Sequence, residues 1–98
     1  MNTLNTISIE IVVSATEGQV HSKLGGQMAI LNLKNGMYYG LDEIGARIWS
    51  MIQKPTTVSS IRDVLLEEYD VEPEQCAIDL LDLVEELAAE GLVELRSQ

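Results

Sequence analysis

Hydrophobic and polar positions alternate along the first part of this chain and then change to a helical period. From Ile7 to Val13 the residues read Ile-Ser-Ile-Glu-Ile-Val-Val, alternating at first and continuously apolar at the end, as a half-buried strand does. Ser14 to Gly26 holds three glycines among polar residues. It reads as a surface connection with at most a short extended piece near Gln19 to Ser22. A second strand is expected over Gln27 to Leu33 and a third over Met37 to Leu41, joined by Lys34-Asn35-Gly36. Asn-Gly supplies the positive φ angles that a tight two-residue hairpin turn needs. The three strands together predict a small antiparallel sheet.

Period two gives way to period 3.6 at Asp42. That residue stands where an N-cap carboxylate accepts hydrogen bonds from the free amides of a first helical turn, with Ile44, Ile48 and Trp49 at helical spacing behind it. A first helix is expected from Asp42 to about Gln53, broken by Lys54-Pro55-Thr56-Thr57. Thr57 or Thr56 is placed to cap a second helix that runs to Tyr69 and buries Ile61, Val64 and Leu65. Asp70-Val71-Glu72-Pro73 ends it, and Pro73 suits the first turn of a long third helix that Gly91 stops. Leu92-Val93-Glu94-Leu95 is a short tail with the pattern of a last strand.

Composition narrows the classes of function. A chain of 98 residues is expected to form one domain over 1–98, with a single modest core and no cleft between lobes. Sixteen acidic against six basic residues, a formal net charge of -10, argue against a phosphate-backbone partner, whose affinity is carried by lysine and arginine. A basic or neutral partner is favoured. The lone Cys76 allows no internal disulfide and no multi-cysteine zinc site, which fits the cytoplasm. No apolar run approaches the ~20 residues of a membrane span, and no signal peptide is visible.

Projected as a helix, Leu83, Cys76, Leu87, Leu80, Val84, Ala77, Ala88 and Leu81 form one continuous apolar arc on the third helix, wider than packing against one neighbour needs. Asp79, Glu86 and Glu90 run along its Cys76 and Leu83 side. The arc is either core throughout or core with one edge left as an apolar strip rimmed by carboxylates, the form of a peptide groove. A small sheet followed by three helices is an α+β, winged-helix-like layout, often used to bind DNA. Between Pro73 and Glu90, however, the third helix has six acidic residues and no lysine or arginine, so contact with phosphates would be repulsive. A winged-helix nucleic-acid-binding regulator therefore stands only as the alternative.

Several stretches, in order, resemble a known family. They are Gly36-Met37-Tyr38-Tyr39-Gly40-Leu41-Asp42-Glu43-Ile44-Gly45-Ala46-Arg47-Ile48-Trp49, then Thr57-Val58-Ser59-Ser60-Ile61, Glu68-Tyr69-Asp70-Val71 and Leu87-Ala88-Ala89-Glu90-Gly91-Leu92-Val93. Each is weak alone; their order and spacing are similar to the PqqD-like peptide chaperones, or RiPP precursor recognition elements. Within these they resemble the small stand-alone members of lasso peptide clusters. The resemblance spans about Ile7 to Leu95. It implies three strands followed by three helices, no catalysis and no cofactor. It further implies that the leader of a ribosomally made precursor adds as an antiparallel strand along the third strand, beside the third helix. On this chain the backbone of Met37, Tyr38 and Tyr39 would pair with the leader, while Cys76, Asp79, Leu80 and Leu83 would face its side chains and Leu41 and Trp49 would support the groove. The implied partners are the precursor peptide and a separate leader peptidase of the cysteine-protease type, with a cyclase as a further partner of the pathway. Asp42 stands where many relatives have asparagine, a change that preserves capping. No function is carried over to Ser14 to Gly26.

The remaining chemistry-bearing residues have simpler readings. Cys76 and His21 are far apart in sequence and give no metal-ligand spacing, so Cys76 is expected as a small apolar helix residue and His21 as a solvated loop residue. Trp49 is expected in the core. Tyr38 and Tyr39 must point to opposite faces of a regular strand, and the sequence leaves open which faces the helices. Glu67-Glu68 and Glu85-Glu86 read as solvated faces. An exposed edge strand can also self-pair, so a dimer through it is conceivable.

Overall fold

The computed structural model describes residues 9–97. Its elements are β1 (Val12–Ala15), β2 (Gln19–Leu24), β3 (Gln27–Asn32), β4 (Met37–Leu41), α1 (Glu43–Met51), β5 (Thr56–Thr57), α2 (Val58–Glu68), α3 (Pro73–Ala89) and β6 (Val93–Arg96). The strands form two antiparallel sheets, in the orders β5-β1-β6 and β2-β3-β4. The α+β, winged-helix-like class holds: a three-stranded antiparallel meander precedes three helices.

The first strand, however, is not part of that meander. Ile7 and Ser8 lie outside the described residues, and the strand itself starts at Val12. It pairs with Thr56–Thr57 on one side and Val93–Arg96 on the other, which places Val13 and Val93 in the core. The third place in the meander goes to β2, inside the stretch expected to be a connection. Val20, His21, Ser22 and Lys23 are all exposed, so burial imposes no period of two on the centre of β2.

Turn chemistry also shifted. Gly25-Gly26 is the two-residue hairpin turn: Leu24 opposes Gln27, and Gly25 takes φ +66°, matching the glycine that a type II′ turn needs at its first central position. Asn35-Gly36 closes a longer loop, because Asn32 opposes Met37 across four residues. Only Gly36 has positive φ there. Asn35 contributes its side chain instead, Oδ1 accepting from the Met37 amide at 2.9 Å.

The helices begin where their caps predict. Asp42 Oδ1 accepts from the Gly45 amide at 2.8 Å, and of the two threonines Thr57 is the cap of α2, accepting from the Ser60 amide at 3.2 Å. Pro73 opens α3, and Gly91 at φ +76° closes it, with the Leu92 amide donating to the Leu87 carbonyl at 2.9 Å. One core cluster joins both sheets to the helices through Val13, Ile30, Ile52, Ile61, Leu87 and Leu92, and Trp49 belongs to it. Burying each large aliphatic side chain contributes about 1.5–3 kcal/mol. Arg47 holds Glu68 with two hydrogen bonds of 2.9 Å, linking α1 to α2.

Candidate functional site

Strand β4 is an edge of its sheet, paired only with β3 among the described residues. Its positions alternate: Tyr39 and Leu41 turn toward the helices, Tyr38 and Gly40 to the other face, and Met37, on the Tyr39 side, is exposed at the start of the strand. Register fixes the opposite face, where Tyr38 lines up with Leu31 and Leu31 with Val20. Tyr39 is therefore the tyrosine on the helix side, which the sequence left open.

Between β4 and α3 lies a groove of about 750 Å³. Leu41 and Leu80 are 6% and 2% exposed and form its floor. Ile44, Ile48 and Gly45 reach it from α1, Leu65 and Tyr69 from the end of α2, and Val71 from the connection that follows. Gly45 permits a close approach here: a Cβ at this helical position would stand 3.1 Å from Leu41 Cβ. From α3 come Gln75, Cys76, Asp79 and Leu83. Burial raises the Cys76 thiol pKa, and the Asp79 charge adds to that rise against the opposing pull of Arg62. The thiol stays protonated and apolar.

Beyond Leu83, β4 and α3 are tied together. The Tyr39 hydroxyl donates to Glu86 Oε1 at 2.5 Å. Desolvation first, then that bond and the charges of Glu86 and Glu90, push the phenol pKa up to about 12. Asn32, the buried polar residue of β3, donates from Nδ2 to the Glu90 carbonyl at 3.1 Å, pinning the last turn of α3 to the meander. The groove accordingly has one tied end, at Tyr39 and Glu86, and one end bordered by Asp42 and Glu72, with Asp79 on α3 between them.

The structure brings five of the seven expected site residues, Tyr39, Cys76, Asp79, Leu80 and Leu83, onto this groove. Met37 and Tyr38 lie on the edge strand with side chains outside it. Ile44, Ile48, Leu65, Tyr69 and Val71 were not anticipated as lining. Ile44 and Val71, at 37% and 38% exposed, are apolar residues left accessible beside a helix end, and that is the signal they carry. No cluster of His, Cys, Asp and Glu suited to a metal occurs among the described residues, and His21 is exposed on β2 rather than in a loop. No described helix is long and apolar enough to cross a membrane.

An open strand edge running beside an apolar groove is the architecture of a module that takes up extended peptide by strand addition. The chain belongs to the PqqD family: the family described as Coenzyme PQQ synthesis protein D matches residues 27–93, from the first residue of β3 to the first residue of β6. Among solved structures it is similar to TbiB1 in complex with the TbiA(beta) leader peptide, at 31% identity and a TM-score of 0.76, covering 83% of this chain and 94% of that one. A comparison with curated proteins gives no match.

Proposed function

We propose that this protein binds the leader of a ribosomally synthesised precursor peptide as an added antiparallel strand on β4. It then delivers the bound precursor to a separate leader peptidase of the cysteine-protease type, in lasso peptide biosynthesis. The protein itself performs no catalysis in this reading and acts in the cytoplasm. The observation that carries the proposal is the edge strand β4 alongside a groove whose floor is Leu41 and Leu80. Support comes from the PqqD family match and from the similarity to TbiB1, whose structure holds a leader peptide.

Strand addition explains the division of labour. Main-chain hydrogen bonds to Met37, Tyr38 and Tyr39 give affinity with little demand on sequence, while Cys76, Asp79, Leu80 and Leu83 select alternate side chains. A disordered leader loses entropy on binding, so a few buried anchors must supply most of the affinity. The acidic surface of α3, which carries no lysine or arginine between Pro73 and Glu90, disfavours nucleic acid as the partner.

The test is a titration of isotope-labelled protein with a synthetic leader from a precursor encoded beside this chain. Amide shifts concentrated on Met37 to Leu41 and on the groove face of α3 are expected. Unmoved β4 amides at saturating peptide reject the proposal.

A further inference from the structure

Main-chain pairing does not by itself say which peptide residue stands opposite which residue of β4. A slip of one residue turns the apolar side chains of an added strand out of the groove, but a slip of two keeps both their face and the ladder of hydrogen bonds. Excluding that slip takes a feature of the groove. On α3 the lining reaches from Gln75 to Leu83, eight residues apart or about 12 Å. That length holds two groove-facing side chains of a strand, which are spaced at ~7 Å. One turn past Leu83 the channel is crossed: Tyr39 runs from β4 to α3, its hydroxyl donating to Glu86 Oε1 at 2.5 Å. With its pKa at about 12, the phenol keeps that proton at neutral pH. One turn further on, Asn32 Nδ2 donates to the Glu90 carbonyl at 3.1 Å, so α3 is held against the meander behind the crossing.

Resting on the leader-binding reading above, we infer that the Tyr39–Glu86 bridge is an end stop that keeps the added strand from slipping toward Met37. A strand antiparallel to β4 has its N-terminal residues beside Leu41 and its C-terminal ones beside Met37. Its residue opposite Leu41 lies over the floor made by Leu41 and Leu80, and the residue two places later, opposite Tyr39, meets the bridge. A slip of two toward Met37 drives the first of these side chains off the floor and into the phenol and carboxylate, which would have to part to admit it. Tyr39 and Glu86 act here as positioning residues. Their effect is to exclude an alternative pairing, and through it to fix how far the rest of the precursor stands from the protein.

The experiment uses the synthetic leader of the titration above with a nitroxide on one residue at a time, and register is read from the broadening of β4 amides. In the wild-type protein each label position should broaden one part of Met37 to Leu41 most, the maximum moving one residue per label step. Tyr39→Phe removes the hydroxyl and keeps the ring, while Glu86→Ala removes the acceptor. Both should raise the population of a second register, displaced by two residues toward Met37, about fivefold, the factor that one hydrogen bond supports. Glu90→Ala takes away a neighbouring carboxylate, leaves the bridge, and should keep the wild-type pattern. A second register in neither bridge variant, in only one of them, or equally in Glu90→Ala overturns the inference and leaves strand addition standing. If no label position broadens β4 amides, the leader-binding reading itself falls, and the inference falls with it.

Discussion

Strands β2 and β4 flank β3 on opposite sides, and each has one paired edge, yet only β4 borders the apolar groove against α3. Along β2 the exposed Val20, His21, Ser22 and Lys23 have solvent on both faces. Polar and charged side chains on a margin of this kind discourage pairing with another chain. Along β4 the inward residues Tyr39 and Leu41 continue into a surface built from α1, α2 and α3. Similar backbone ladders are thus available at both margins, and only the one at β4 adjoins an apolar groove. In a strand-addition module, affinity and specificity come from different parts of the same site.

The strongest way to break this contrast is to charge each margin in turn. Leu83→Asp puts an unpaired carboxylate into the apolar groove and should lower leader affinity by about 100-fold or more, whereas Val20→Asp should leave it within about twofold. Anisotropy titration of both variants with one labelled leader decides; equal losses would mean that the groove contributes nothing special. Next in size, Leu41→Ala removes a floor residue that is 6% exposed and should cost about 2–4 kcal/mol in urea unfolding. Ser22→Ala on β2 should stay within about 0.5 kcal/mol.

Asp42 sharpens the contrast at the junction of β4 with α1. Asp42→Ala loses the bond from the Gly45 amide and should cost about 1 kcal/mol, while Asp42→Asn keeps the cap and most of that stability. The smallest effect belongs to the tie between β4 and α3. Because the folded-state pKa of Tyr39 is raised from 10.0 to about 12, the stability it contributes is fully present below the unfolded value. It is lost as pH climbs from about 10 through about 12. Ultraviolet titration of the tyrosinate band should show a late phase that disappears in Tyr39→Phe; a titration curve that the variant leaves unchanged in that range would mean that the tie is absent in solution.

Much of this arrangement was legible from neighbouring residues alone. The Asp42 and Thr57 caps, the Pro73 start and the Gly91 stop are local chemistry, decided within about one turn, and all were found where expected. Trp49 is in the core as expected, and of the eight-residue apolar arc on α3, for which helical spacing left core and groove edge both open, Leu80, Val84 and Leu87 are buried. Strand β2 shows in the sequence only as a short extended piece near Gln19 to Ser22, because burial, which writes alternation into a sequence, acts on none of its central residues. The two-residue turn was placed at Asn35-Gly36 instead of Gly25-Gly26 because both dipeptides permit positive φ. Register, a property of two strands, chose between them.

Sequence by itself determined the class of fold, the helix boundaries, the acidic face of α3 and the short strand from Met37 to Leu41, since each depends on residues close in the chain. Tertiary structure decided that Val12–Ala15 leaves the meander for a second sheet, that Tyr39 rather than Tyr38 faces the helices, and that Ile44, Ile48, Leu65, Tyr69 and Val71 line a groove. Those outcomes depend on distances between elements far apart in sequence. An apolar residue carries the same pattern whether its neighbours close over it or stand back far enough to leave a channel.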